Sequence, residues 1–244
     1  DPRLDRHIDL FDLVEDLKAR GLALPLLIRF SDILADRIRR LNEAFSKAIS
    51  DYNYSGVYRG VFPVKVNQQR HVVEEIVEFG RPWNYGLEAG SKPELLIALA
   101  ASQEPGGLII CNGYKDVTFI RMALMGLKLG KTVILVVEKL EELRQILAVS
   151  RQVGVEPLIG IRVRLASKGG GKWADSAGEN AKFGLTTSEL LAATELLRAE
   201  NLGHCFKLLH FHIGSQVPDI LTIKKAVQEA ARFYAKLVRS GFAL

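Results

Sequence analysis

The stretch GVFPVKVNQQR, residues 60–70, decides how the rest of the chain is read. Val61, Phe62, Val64 and Val66 are apolar and three of them are β-branched, the pattern of a buried strand. Lys65 stands inside it. An ammonium in a buried strand costs on the order of several kcal/mol unless something pairs or neutralises it. Side chains alternate along a strand, so Lys65 faces the same side as Val61, Pro63 and Asn67. Two readings fit. The lysine snorkels along its apolar stem to solvent, or it sits in a desolvated pocket, where a lowered pKa makes it a nucleophile toward a carbonyl.

Working outward, the pattern recurs. Short apolar runs of β type alternate with longer runs at helical spacing. The expected strands are LPLLIRF (24–30), YRGVFPVKV (58–66), NYGLEAG (84–90), GLIICNG (107–113), TVILVVE (132–138), PLIGIRVRL (157–165) and KLLHFHIG (207–214). Among the helices between them, one opens at Ser31 and Asp32 and runs to about Ile49. Ser91 caps SKPELLIALAA, with Pro93 in its first turn. Thr187 or Ser188 caps SELLAATELLRAE, and TIKKAVQEAARFYAKLVRS stops at Gly241. Strands alternating with helices predict parallel βαβ units, and strands this apolar are covered on both faces. A (β/α)₈ barrel and a doubly wound open sheet both satisfy the pattern, although a closed barrel needs further units.

The polar residues fall at strand ends. Lys65 and Asn67, Glu88, Asn112, Glu138, Arg162 and Arg164, then His210, His212, Ser215 and Gln216 all lie at or just beyond the C-terminal end of an expected strand. In parallel units those ends point one way, and both candidate folds build their sites there. A strand-end Asn or Glu also serves as a loop cap, and a His in an apolar strand as a hydrogen-bonded core group. His210 and His212 share one strand face, but no third ligand is placed beside them, so no metal is expected.

Composition narrows the classes. The 244 residues are 48% hydrophobic and 25% charged, with a net charge of +5, enough for one large α/β domain. The basic excess is spread out, which argues against a nucleic-acid footprint. Cys111 and Cys205 read as reduced core thiols of a cytoplasmic protein. No apolar run reaches membrane length, and without a charged-then-apolar opening segment secretion is not expected. A chain running from Asp1 to Leu244 without a starting Met reads as a piece of something longer. ASKGGGKW approaches a phosphate loop, but Ala166 and Trp173 replace the required Gly and Ser/Thr. The surrounding segment LASKGGGKWADSAGENAKFG reads as a flexible loop.

FPVKVNQQ resembles the cofactor-lysine segment of the biosynthetic arginine decarboxylases, pyridoxal-phosphate enzymes with an alanine-racemase-like barrel. GLEAGSKPEL, CNGYKD, RVRLAS, KFGL and LHFHIGSQ follow in that family's order. The strand Lys, GSK, KFG and HxGS are shared with the wider group of ornithine and diaminopimelate decarboxylases. KVNQQ, CNGYKD and LHFHIGSQ look specific to the arginine branch.

The resemblance implies a (β/α)₈ TIM-type barrel of the alanine-racemase kind, incomplete in this chain. Residues 1–30, with the strand LPLLIRF, would belong to a preceding β-domain. Residues 31–244 would supply about six of the eight barrel strands. It implies pyridoxal 5'-phosphate bound as a Schiff base on Lys65, His212 stacked on its ring, Arg162 at the ring's hydroxyl side, Glu88 near the lysine and Ser215 near ring and phosphate. Lys65 and His212 would be catalytic, with His210 behind them. The implied reaction converts L-arginine to agmatine and carbon dioxide, the first step of a putrescine and spermidine route. The alternatives are a decarboxylase of ornithine or diaminopimelate, and a non-catalytic truncated homologue. The resemblance also implies a homo-oligomer, at least a dimer, with shared sites. Some members need magnesium, although no residue here locates it. The phosphate loop and the acid on the pyridine nitrogen would lie beyond Leu244, so the isolated piece is expected to be inactive.

Overall fold

The computed structural model describes residues 7–102, 107–165, 183–214 and 217–244. It divides into two compact units, Asp1–Leu34 and Ala35–Leu244. In the first, α1 (Leu10–Ala19) begins where Asp9 accepts the backbone N–H groups of Phe11 and Asp12, at 2.8 and 3.2 Å. The expected strand LPLLIRF does not form: residues 26–30 carry no regular structure. A strand needs a ladder partner for its backbone groups, and among the described residues none pairs with this segment. Leu24 and Leu27 are exposed.

The second unit begins within α2 (Ser31–Asp51). Its strands are β1 (Val61–Pro63), β2 (Gly86–Ala89), β3 (Ile109–Cys111), β4 (Val133–Val137), β5 (Leu158–Arg162) and β6 (Phe206–His210). The helices are α3 (Arg70–Gly80), α4 (Lys92–Ala101), α5 (Val117–Lys128), α6 (Leu140–Val153), α7 (Thr187–Ala199) and α8 (Ile220–Arg239). All strand pairs are parallel, and the sheet order is β1-β2-β3-β4-β5-β6. A doubly wound sheet must reverse its order at a switch point. Here each crossover adds the next strand on the same side, the progression of a barrel, with β1 and β6 left as edges.

Period-two alternation separates two core layers. Leu87, Ala89, Ile109, Cys111, Val133, Leu135, Val137, Ile159 and Ile161 join helix residues such as Leu95, Ile120, Ile146 and Leu197 in the larger layer. Val61, Leu108, Ile110, Ile134, Val136, Leu158 and Leu208 form the smaller one, on the concave face. Gly160 keeps that face tight: a Cβ there would lie 3.0 Å from Val136 Cγ2 and 3.3 Å from Leu208 Cδ2.

Two sequence expectations shift locally. The strand through Lys65 ends at Pro63, and Val64–Val66 turn in a 3₁₀ helix with Val64 fully buried. The cap of α7 is Thr186, not Thr187 or Ser188. Glu189, three residues on, closes a capping box with it: Glu189 N–H donates to Thr186 Oγ1 (3.3 Å) and Thr186 N–H to Glu189 Oε2 (2.8 Å). Ser91 caps α4 as expected, accepting the Glu94 N–H at 3.4 Å.

Candidate active site

The same alternation that sorts the core places the polar residues. Glu88 lies between Leu87 and Ala89, which face the helices, so it faces the concave side. By the same count Asn112 follows Ile110, Glu138 follows Val136, Arg162 follows Gly160, and His210 and His212 follow Leu208. All lie at C-terminal strand ends. The register sets Pro63 beside Glu88 and Arg162 beside His210.

Lys65 reaches into this rim from the turn after β1. Its Nζ lies 3.8 Å from Glu88 Oε1, with the lysine side chain 62% exposed and the glutamate 22%. Of the two readings left open by the sequence, the desolvated mid-strand lysine is corrected, because β1 stops two residues earlier and the Lys65 side chain is open to solvent. Across the rim, Arg162 Nη1 donates to Glu138 Oε2 at 3.0 Å and Oε1 at 3.3 Å. Both side chains are shielded, 12% and 1% exposed. Burial holds the His212 imidazole below its usual pKa, the charges of Arg162 and Lys65 lower it further, and Glu138 opposes them. His212 Nδ1 accepts the Gly214 N–H at 3.0 Å, so the neutral ring carries its proton on Nε2.

His210 is more extreme. Burial, then the positive charges of Arg162, His212 and Lys115, push it down to about 3. Its Nε2 is 3.5 Å from Asn112 Nδ2, while His210 Nδ1 and Asn112 Oδ1 are buried with no partner among the described residues. Such atoms cost about 1–3 kcal/mol each when left unpaired. They mark the concave rim as a place for a polar ligand or water.

Segment 183–185 buttresses Arg162. Leu185 N–H donates to Arg162 O at 2.7 Å, and the Phe183 ring centroid is 5.7 Å from Arg162 Cζ. Gly184 adopts φ +94, and a Cβ on it would lie 3.2 Å from Arg162 Cγ, so glycine meets both demands. Other strand-end residues hold loops: Asn67 Oδ1 accepts the Gln69 N–H (3.0 Å), and Arg164 Nε donates to Gly184 O (2.7 Å). Ser215, Gln216 and the loop at 166–182 lie outside the described residues.

Sequence reasoning noted Glu138 without giving it a role and passed over Lys115 and Glu142. Lys115 is fully buried, and Glu142 is 3% exposed. The available signals were the lysine within CNGYKD and a Glu four residues after Glu138 at a helix start. Away from the rim, before the N-terminal ends of β5 and β6, donor atoms of Glu156, His204 and Cys205 lie within 4.8 Å of one another. His204 Nε2 is 2.9 Å from Glu156 Oε2. That mixed set does not suit magnesium, which takes oxygen ligands.

A sequentially wound parallel sheet with ionisable side chains gathered on the concave C-terminal rim defines a domain of the (β/α)₈-barrel class, with six strands among the described residues. Residues 35–244 match the family model described as pyridoxal-dependent decarboxylase, pyridoxal binding domain, and the chain belongs to that family. It is 55% identical over 242 residues to the biosynthetic arginine decarboxylase of Nostoc sp., covering 98% of this chain and 36% of that protein. The crystal structure of the Campylobacter jejuni biosynthetic arginine decarboxylase superposes with a TM-score of 0.86 at 38% identity, covering 95% of this chain and 38% of that one. Diaminopimelate decarboxylase from Helicobacter pylori shares the fold, with a TM-score of 0.73 at 22% identity over 95% of this chain and 54% of its own. The chain thus spans a little over a third of the length of the arginine decarboxylases it matches.

The rim fits pyridoxal phosphate chemically. Lys65 offers a solvent-facing amine to an aldehyde, His212 a flat neutral ring and Arg162 a guanidinium to an anionic oxygen. The unpaired His210 and Asn112 atoms leave polar capacity in the same place.

Proposed function

We propose that this chain is the cofactor-binding part of an enzyme that decarboxylates L-arginine to agmatine. The observation that carries the reading is the convergence of Lys65, Glu88, Arg162 and His212 on one rim of a domain of the pyridoxal-dependent decarboxylase family. The 55% identity to a protein named biosynthetic arginine decarboxylase supports the substrate.

In this reading Lys65 carries the cofactor through its Nζ, and Glu88 orients that ammonium from 3.8 Å. His212, its Nδ1 tied to Gly214, holds a neutral ring face against the cofactor and cannot swing freely. Arg162, clamped by Glu138, presents a fixed positive charge to the ring's hydroxyl side. Ser215 is assigned to the phosphate side. When bound, pyridoxal phosphate would supply the electron sink for the decarboxylation. Overall, the α-carboxylate is lost as carbon dioxide and a proton, ultimately from solvent, takes its place at Cα. The protein's contribution is orientation and a site whose His residues stay uncharged.

Residues 1–30 are assigned to a β-domain that the rest of the protein completes. The whole enzyme is taken to be a cytoplasmic homo-oligomer with shared sites. Among the described residues, no helix is long and apolar enough to cross a membrane.

The test is a substrate panel on the full-length protein, offering arginine, ornithine, lysine and diaminopimelate and measuring carbon dioxide release. Arginine is expected to dominate, and Lys65→Ala to abolish turnover. Preference for another amino acid refutes the substrate. Near-normal turnover by Lys65→Ala refutes the site.

A further inference from the structure

Behind the rim lies a second set of buried ionisable side chains, Lys115, Glu138 and Glu142. Lys115 follows β3 and has no exposed surface. Its Nζ donates to Gly113 O and lies 3.6 Å from Glu142 Oε2, whose side chain is 4% exposed. Glu142, in α6, accepts two backbone groups: Lys115 N–H at 3.1 Å and Glu138 N–H at 2.7 Å. Gly113 is gripped from both ends, because its N–H donates to Glu138 Oε1 at 2.9 Å while its carbonyl accepts from Lys115. Glu138 then meets Arg162.

Fully buried charge is a poor device for stability alone. A well-packed apolar replacement of a balanced pair is often neutral or stabilising, whereas removing one partner leaves an uncompensated charge. What this arrangement does supply is position. The Glu138 carboxylate is fixed by the Gly113 peptide, the Glu138 backbone by Glu142, and both supports by one ammonium.

We propose that Lys115, acting with Glu142, is a positioning residue that fixes Glu138 and thereby aims Arg162 at the cofactor. The proposal rests on the reading of Lys65 as the cofactor-bearing lysine. The groups facing Lys115 are Glu142 from α6, Glu138 after β4 and Cys111 from β3, with Arg162 and His210 beyond them. Burial lowers the Lys115 pKa, and the two glutamates oppose that shift. Cys111 is pushed up to about 12 by burial, so it stays a neutral thiol.

The experiment uses full-length protein carrying Lys115→Met, Glu142→Gln, or the core truncation Leu197→Ala as a stability control. Three quantities are read: the pyridoxal phosphate dissociation constant, the visible absorbance of the lysine–cofactor linkage with its pH midpoint, and the urea midpoint of the cofactor-free protein. Lys115→Met is expected to weaken cofactor binding about 10- to 100-fold, by analogy with the loss when outer partners of metal-ligating residues are removed. It is also expected to move the pH midpoint of the band, which Leu197→Ala leaves in place. A lowered urea midpoint with wild-type band and affinity overturns the proposal. Should Lys115→Met not fold, Glu142→Gln reads the same relay, and a wild-type band and affinity in that variant overturns it equally. Persistence of the band in Lys65→Ala refutes the underlying site reading instead, whatever Lys115→Met does.

Discussion

Replacing His210 by Gln removes one titrating group from the concave rim while keeping a side chain that can pair with Asn112. The folded imidazole has a pKa of about 3 against an ordinary value of 6.5. The cause is burial, reinforced by the positive charges of Arg162, His212 and Lys115. Between those two values the unfolded chain holds a proton at this position and the folded protein does not. Unfolding is therefore favoured as pH falls, and the stability present above the unfolded pKa is lost on acidification. One proton corresponds to about 1.4 kcal/mol per pH unit. From pH 8 to pH 4.5 the wild type is expected to lose about 2.7 kcal/mol through this histidine alone. That is a large part of a typical stability of about 5–15 kcal/mol. His212 and every carboxylate remain in the variant, so their contributions cancel in the difference. The assay is urea unfolding of cofactor-free protein at a series of pH values, followed by intrinsic fluorescence. The constant offset from altered packing drops out, because only the slope with pH is compared. Parallel stability–pH curves for wild type and His210→Gln would refute the reasoning, since they would mean that His210 protonates as readily in the folded protein as in the unfolded chain.

Two further substitutions probe the scaffold. Gly184→Ala forces an L side chain into φ +94 and toward Arg162 Cγ; a loss of at least about 1–2 kcal/mol in urea unfolding is expected from the left-handed backbone alone, and an unchanged midpoint would contradict the packing described. Thr186→Ala removes the capping box of α7 and is expected to cost about 1 kcal/mol, with Thr186→Ser recovering most of it. The Glu189 half of the cap should fade as pH falls through the lowered pKa of its carboxyl, which is held down chiefly by the Thr186 backbone N–H; Glu189→Gln, which cannot ionise, is the comparison that reads it. Parallel stability–pH curves for wild type and Glu189→Gln would show that the Glu189 carboxylate takes no part in the cap.

Much of the site was legible because it follows from strand geometry. Once the apolar runs were read as parallel strands, strand-end position put Glu88, Arg162, His210 and His212 at one end, and alternation put His210 and His212 on one face. The motif resemblance then suggested what Lys65 is for, and the family match bears on the domain as a whole. The barrel was less legible. Alternating strands and helices fit two folds, and only the unreversed order β1 to β6 separates them. LPLLIRF shows the limit of local pattern: an apolar run is a strand only where another backbone is there to receive its hydrogen bonds.

What the sequence determined by itself is whatever depends on backbone period and neighbouring residues: which side chains share a face, where strands end in polar residues, and most helix caps. What only the tertiary structure decided is which charges meet. Lys65 finds Glu88 from the next strand, Arg162 finds Glu138, and Lys115 disappears into the core against Glu142. Those pairings span 23 to 27 positions and are set by sheet register and helix packing. Whether a lysine is exposed at the rim, as Lys65 is, or sealed behind it, as Lys115 is, depends on what packs around it. The residue and its sequence neighbours do not specify that.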